Sequence, residues 1–269
     1  MFAALVGFAS FPGALQAQVS SSFTPETAYP ISLASPGTAL SASVNPSALG
    51  TLPGWSLTYS YVAPADGTSH RDRYHGGWFA TPLGKALTLG SGIEFARARD
   101  GSQADQNGFV LASALNAGPW LSFGTAWHMR SPRDGAHDLH AADLSLSFRP
   151  SPRFAVSVIA RDLAPRTPQL GERAVRESVA LAAAVRPVGD DRMVLEVAGK
   201  VDADGDLGLR MLAQTLVPKL GRLAVAGERT ERNGQALWTL SAGLDVRFGA
   251  VSLAPGVHVG SSGDQVGWS

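Results

Sequence analysis

The clearest pattern in the chain is a strict alternation of apolar and polar residues over positions 238–248. The apolar positions are Trp238, Leu240, Ala242, Leu244, Val246 and Phe248, and those between them are Thr239, Ser241, Gly243, Asp245 and Arg247. Because successive side chains of a β-strand point to opposite faces, this segment predicts a strand with one wholly apolar face. Its length matches the roughly 9–11 residues that cross a bilayer in a tilted barrel, and aromatic residues at both ends are typical of such strands.

The same alternation recurs from Trp55 onward and predicts about thirteen strands. They begin near Trp55, Tyr74, Ala86, Gly108, Trp120, Ala141, Phe154, Val175, Met193, Leu207, Gly221, Ala236 and Val251. Longer polar connections alternate approximately with tight turns, as in outer-membrane barrels, which have long loops on one side and short turns on the other. We therefore predict an all-β fold, an antiparallel up-and-down transmembrane β-barrel of about 13–14 strands.

The alternation also assigns side chains to two faces of the predicted barrel. The predicted lipid-facing residues are Leu121, Phe123, Trp127, Trp238, Leu240, Leu244 and Phe248. The predicted lumen residues are Glu94, Glu196, Lys200, Arg210, Glu228, Asp245 and Arg247, among many small residues. Since buried charges need partners, we expect ion pairs of Lys200 with Glu196 and of Asp245 with Arg247. A water-soluble sandwich also alternates, but it explains less well a charged fraction of only 16%.

The region before the first strand divides into two segments. Residues 1–17 are predicted as a signal peptide, with a short apolar run and a small-residue cleavage pattern, although no Lys or Arg precedes that run. Residues 18–53 lack a two-residue period and are predicted as an N-terminal plug segment, with a short helix over 36–44. Residues 54–269 form the predicted barrel. Its last strand, near 265–269, looks cut short, because bacterial single-chain barrels have an even strand number.

Composition argues against several classes of function. The formal net charge is zero, so no basic surplus suggests nucleic acid, and the chain has no cysteine. Asp202–Asp206 is like the start of a calcium loop but precedes a strand, and His137 and His140 have no fixed third ligand. No Gly-x-Ser-x-Gly elbow is present. We expect no catalytic residues, no metal and no cofactor.

One short motif resembles a known family. The stretch 43–50, Ser-Val-Asn-Pro-Ser-Ala-Leu-Gly, resembles the Asn-Pro-Ala-x-Leu stretch that opens many barrels of the long-chain fatty-acid transporter superfamily. Position 47 is Ser where Ala is usual. That resemblance implies a fourteen-stranded barrel plugged by its N-terminal segment. A narrower resemblance, carried by residues 34–40 and 146–150, is to the barrel region ahead of signal peptide peptidase A-type proteases in delta-proteobacteria.

Together these features predict an outer-membrane protein of a Gram-negative bacterium, surrounded by lipid, through which a small hydrophobic solute passes or to which it binds. The hydrophobic solute is implied by the family resemblance. The predicted plug residues are Leu40, Val44, Asn45, Pro46 and Leu49. Two alternatives remain open: a barrel that anchors a periplasmic partner or a fused protease, and a soluble secreted β protein.

Overall fold

The computed structural model describes residues 30–64, 73–97, 106–132, 138–166, 177–190, 192–232 and 235–261. The predicted signal peptide, the predicted strand near 265–269 and His137 lie outside these residues. In the described part of the chain, no helix has the length and apolar character needed to span a bilayer.

Thirteen strands form one closed barrel. They are β1 Ser56–Pro64, β2 Arg73–Leu83, β3 Leu87–Arg97, β4 Gln106–Asn116, β5 Leu121–Pro132, β6 Leu139–Ser151, β7 Phe154–Arg166, β8 Ser178–Val185, β9 Met193–Asp202, β10 Leu207–Val217, β11 Gly221–Arg232, β12 Gln235–Phe248 and β13 Val251–Ser261. Each begins three or fewer residues from its predicted start. The predicted all-β barrel is therefore confirmed. Asp202–Asp206 forms the tip between β9 and β10, where Gly205 N donates to Asp202 O at 2.8 Å.

Consecutive strands pair antiparallel, and β1 closes the barrel by pairing parallel with β13. The closing register runs from Leu57 opposite Val251 to Pro64 opposite His258. The expectation that closure needs an even number of strands is therefore wrong for this chain. Parallel pairing of the first and last strands occupies both sheet edges, so neither leaves a row of unpaired backbone groups.

The two faces of the barrel wall are inverted relative to a water-soluble protein. Along β9 every second residue is exposed, and the exposed set contains Met193, Leu195 and Val197, whereas Glu196 and Lys200 are buried. Large apolar side chains are exposed on the other strands too, and small residues such as alanine dominate the buried face. A two-sheet sandwich, which hides its bulky side chains and exposes its charges, does not describe this chain.

Residues 30–52, which precede β1, lie inside the barrel. An α-helix, α1, covers Ser41–Val44, and a 3₁₀ helix covers Pro46–Thr51. The predicted helix over 36–44 is thus α-helical only in its last four residues. Gly37 takes a left-handed φ of +65°, which bends the chain before the helix. The residues from 30 to 52 are almost all buried, and we call them the plug.

Candidate functional site: the plugged lumen

The apolar half of the plug packs on the inner wall of the barrel. Leu40, Val44 and Leu49 are 0% exposed and belong to one buried cluster. The wall contributes mostly alanines to this cluster, together with Trp78, Val110, Ile159 and Val194. The alanines are Ala80, Ala112, Ala114, Ala126, Ala155, Ala180, Ala182, Ala184, Ala198 and Ala254. Small wall side chains leave the space that the larger plug side chains fill. The predicted plug residues Asn45 and Pro46 are buried in the same segment.

A buried ion pair on β9 and β10 holds the first part of the plug. Arg210 Nη1 lies 2.9 Å from Glu196 Oε1. The Glu196 carboxylate also accepts hydrogen bonds from Ser32 Oγ at 2.5 Å, from Leu33 N at 3.0 Å and from Ala34 N at 2.9 Å. A buried carboxylate requires such partners to offset its lost hydration. We call Glu196 and Arg210 the latch.

The latch corrects the predicted pairing of Glu196 with Lys200. Lys200 Nζ instead lies 3.3 Å from Asp202 Oδ1. Residues four apart on a strand are separated by about 13 Å along its axis, whereas diagonal neighbours on adjacent strands lie about 7–8 Å apart. The other expected pair is present, since Arg247 Nε lies 2.9 Å from Asp245 Oδ2.

Further arginines extend from the wall to groups of the plug. The contacts are Arg210 Nη2 to Ile31 O at 2.8 Å, Arg149 Nη2 to Ala34 O at 3.3 Å, Arg186 Nη2 to Ser35 Oγ, and Arg161 Nη2 to Val44 O. Three of the acceptors are backbone carbonyls of the plug, so these arginines satisfy polar groups that the plug buries. Of these four arginines, only Arg210 was predicted from the alternation to face the lumen.

Asn45 connects both arms of the plug to the wall. Its Nδ2 donates to Leu33 O at 2.7 Å and lies 3.1 Å from both Ser147 Oγ and Ser157 Oγ. Ser47 Oγ donates to Asn45 Oδ1 at 2.7 Å. Hydrogen bonds of Asn45 therefore join Leu33 in the first part of the plug to Ser47 in its second part.

Ser47 continues this network into two strands, β5 and β6. Its backbone N donates to Ser145 Oγ at 2.8 Å, and its Oγ lies 2.7 Å from Ser147 Oγ. Ser122 Oγ donates to Ser47 O at 2.5 Å. The Ser found at position 47 in place of the usual Ala thus makes side-chain contacts that alanine lacks.

One glycine of the wall and one of the plug allow close approach at the same place. A Cβ at Gly124 would lie 2.0 Å from Ser47 N, and one at Gly50 would lie 1.9 Å from Asn116 Oδ1. Asn116 Nδ2 in turn donates to Gly50 O at 2.8 Å. The wall is therefore shaped around the 3₁₀ helix.

Trp78 on β2 also contacts the plug, and its side chain is 1% exposed and points inward. Its Nε1 donates to Ser43 Oγ at 2.7 Å, and Ser43 Oγ donates to Glu94 Oε1 at 2.7 Å. A Cβ at Gly92 would lie 2.2 Å from the indole ring. Glu94 therefore contacts the plug, and Trp78 was not identified from sequence because the lumen face was expected to carry small or charged residues.

The remaining predicted lumen residues lie elsewhere on the wall. Glu228 is partly exposed, opposite Arg210 in the register of β10 with β11, and the Asp245 side chain is fully buried. Arg247 is exposed near the end of β12. The structure brings Glu94, Glu196 and Arg210 into contact with the plug.

A separate polar cluster lies where β6 and β7 lose their regular register. His128 Nε2 lies 3.0 Å from Asp143 Oδ2, and Asp143 Oδ1 accepts a hydrogen bond from Asp162 N at 2.9 Å. Asp162 has a φ of +52°, which is uncommon for a residue with a side chain. In the described part of the chain, no group of three or more acidic or histidine residues is arranged to hold a metal ion.

The outer face carries aromatic residues near both ends of the strands. One group lies near the strand ends at the side of the barrel that carries the short turns. Its members are Trp55, Phe79, Trp120, Phe123, Phe148, Phe154 and Phe248. Near the other ends Trp127 stacks on His140 with ring centroids 5.4 Å apart, and His75 stacks on Phe95 at 5.0 Å. The seven predicted lipid-facing residues all lie on this outer face, with Leu121 and Leu244 the least exposed.

The chain was compared with protein families, curated proteins and solved structures. No protein-family model matches the chain, and no curated protein matches it. Among solved structures, the barrel is similar to the KdgM porin in complex with disordered oligogalacturonate, at 9% sequence identity and a TM-score of 0.44. The match covers 61% of this chain and 88% of the KdgM chain.

Proposed function

We propose that the chain is an outer-membrane barrel of a Gram-negative bacterium whose lumen passes or binds a small hydrophobic solute when the plug is displaced. The observation that carries the proposal is the plug itself, which fills the lumen with fully buried residues. The inverted wall supports a bilayer as the surrounding solvent, because exposed leucine, valine and aromatic side chains are stable in hydrocarbon. No catalytic reaction is assigned to the chain.

The apolar character of the lumen supports a hydrophobic solute. Once the plug side chains leave, they expose a wall of alanines together with Val110, Ile159 and Trp78. The same arrangement, an N-terminal segment with Asn45-Pro46 inside a barrel, supports membership of the long-chain fatty-acid transporter superfamily. Both statements are part of the proposal.

A reversible lock on the plug tests the proposal. Ser47 Oγ and Ser147 Oγ are 2.7 Å apart, and the chain has no cysteine of its own. We expect Ser47→Cys/Ser147→Cys to form a disulfide that stops uptake of a hydrophobic fluorescent solute into vesicles containing the barrel. Reduction should restore uptake to the level of the single Ser147→Cys variant.

The alternative function, an anchor for a periplasmic partner or fused protease, is favoured by the number of hydrogen bonds that hold the plug in place. Under that alternative the locked and reduced proteins give the same solute flux, equal to that of empty vesicles. Such a result would reject passage through the lumen while leaving membrane insertion intact.

A further inference from the structure

Six short connections lie at one end of the barrel. They are residues 84–86, 117–120, 152–153, 186–192, 218–220 and 249–250. Because consecutive strands alternate in direction, these six connections share one end, which we call the short-turn end. The plug contacts Asn116, Ser122, Arg149 and Arg186 lie beside these connections.

The short-turn end is strongly basic although the whole chain is neutral. Counting each short connection with three residues on either side, the basic residues are Lys85, Arg149, Arg153, Arg186, Arg192, Lys219, Arg222 and Arg247. The acidic residues in the same stretches are Asp190 and Asp191. Eight basic and two acidic residues leave an excess of six positive charges. The connections at the other end, counted in the same way, hold eleven basic and twelve acidic residues.

Part of this charge faces outward, beside exposed apolar side chains. Lys85, Arg153 and Lys219 are exposed, and the Arg192 side chain is 69% exposed. Arg192 pairs with Asp190 at 3.2 Å, but exposed pairs of this kind contribute only about 0–1 kcal/mol. Exposed apolar residues at the same connections are Leu83, Trp120, Val188, Leu220 and Phe248, and Trp55 is exposed just before β1 at the same end.

Interleaved tryptophan and basic side chains fit a lipid interface better than a protein or a dissolved anion. Tryptophan settles at the level of lipid headgroups, and lysine and arginine stems extend along apolar surface so that the charge reaches the phosphates. Each basic residue near an anionic leaflet attracts it by about 1 kcal/mol. An acidic protein partner would match the charge but would leave the apolar side chains without hydrocarbon.

We propose that the rim formed by Lys85, Arg153, Arg192 and Lys219 binds the phosphate groups of anionic phospholipids in the leaflet at the short-turn end. This proposal rests on the membrane insertion proposed above. It assigns the rim a lipid class that the outer-membrane assignment by itself does not specify.

The test compares two triple variants of the full chain inserted into nanodiscs. Lys85→Gln/Arg153→Gln/Lys219→Gln removes three charges from the rim. The matched control, Arg73→Gln/Arg97→Gln/Arg232→Gln, removes three charges at strand ends of the opposite end. The readout is the amount of phosphatidylglycerol, relative to phosphatidylcholine, that remains bound to the barrel in native mass spectrometry.

We expect the unmodified barrel to retain phosphatidylglycerol preferentially, with a preference that falls as salt is raised. The rim variant should lose roughly 100-fold of that preference, because the loss of three contacts of about 1 kcal/mol each is about two factors of ten. The control should change by less than about twofold in the same assay, because it leaves the rim intact.

Three results would overturn the assignment in distinguishable ways. Equal loss in both variants, or no preference for phosphatidylglycerol, rejects the lipid site while insertion still supports the membrane barrel. Binding of poly-glutamate to the rim in pure phosphatidylcholine, as strong as the binding of phosphatidylglycerol, assigns the rim to an acidic protein instead. Failure of the unmodified chain to insert into either bilayer rejects the membrane proposal itself.

Discussion

At the scale of single residues, Glu196 is a wall side chain that accepts three hydrogen bonds from the plug. Its two carboxylate oxygens accept hydrogen bonds from a hydroxyl and two backbone N–H groups of the plug, and they pair with Arg210. Because the group is 5% exposed, these contacts form in a medium of low dielectric constant, where each is stronger than in water. Holding Ser32 to Ala34 therefore depends on the charge of a single side chain.

Glu196→Gln should loosen the first part of the plug. The amide keeps the size of the side chain but removes the charge, which leaves Arg210 buried without its counter-ion, and breaking such a pair costs about 3–5 kcal/mol. The reporter is Leu33→Cys, whose side chain is buried in the plugged state. In the Glu196→Gln background it should react with a maleimide at least about tenfold faster than in the barrel that carries Leu33→Cys alone.

Asp202→Asn is the control for this variant, because it breaks a different buried ion pair, that of Asp202 with Lys200, on the same strand as Glu196. We expect maleimide to label Leu33→Cys/Asp202→Asn at about the same rate as Leu33→Cys alone. Faster labelling in the control alone would mean that Lys200, and not the latch, restrains the plug.

The sequence indicated which residues face the lumen, but it did not indicate their partners. Alternation places Glu196, Lys200 and Arg210 on one face, since side-chain direction depends only on position along the strand. Pairing depends on the register between β9 and β10, which puts Glu196 opposite Leu212 and Arg210 opposite Ala198. That register depends on the hairpin tip. The partner of Glu196 therefore lies on the neighbouring strand, whereas Lys200 pairs with Asp202 of its own strand.

At the scale of elements, the plug and the wall around it fit each other through small residues. The loss of a two-residue period before Trp55 predicted a segment outside the sheet, while its place in the lumen was implied by the family resemblance. The serines and glycines that contact it on β5, β6 and β7 could not be distinguished in sequence from other small lumen residues. Only the folded plug shows which of them touch it.

Gly124→Ala should expel the 3₁₀ helix from its place on the wall. The added Cβ would lie 2.0 Å from Ser47 N and 2.3 Å from the Pro46 carbonyl carbon, and backbone atoms cannot move aside as a flexible side chain can. We expect a rise in solute flux of the reconstituted barrel, measured by dye release, because the segment that fills the lumen is displaced.

Gly199→Ala provides the matched comparison for this substitution. Gly199 lies on the exposed face of β9, and a Cβ there has no atom within 4 Å. Its flux should equal that of the unsubstituted barrel. If Gly124→Ala also leaves the flux unchanged while the barrel remains folded, either the plug adapts within the lumen or the lumen does not conduct.

At the scale of the whole molecule, the thirteen strands were predictable because the apolar and polar positions alternate along each one. A wall with apolar residues outside and small or charged residues inside leaves a two-residue period in nearly every strand. Closure left no such trace. The direction in which β1 pairs with β13 depends on two segments about two hundred residues apart in the chain. Each of these segments has the sequence pattern of an ordinary strand.

Closure by β1 and β13 can be tested with one cross-link. Tyr59 and Leu253 are opposite each other in the parallel register, and both side chains are exposed on the outer face. Tyr59→Cys/Leu253→Cys should therefore form a disulfide in the inserted barrel, visible as a faster-migrating band without reductant. Tyr59→Cys/Val259→Cys places the second cysteine six residues further along β13, about 20 Å away, and should stay reduced. If the second pair cross-links and the first does not, β1 and β13 are not joined in this register, and another strand or another offset closes the wall.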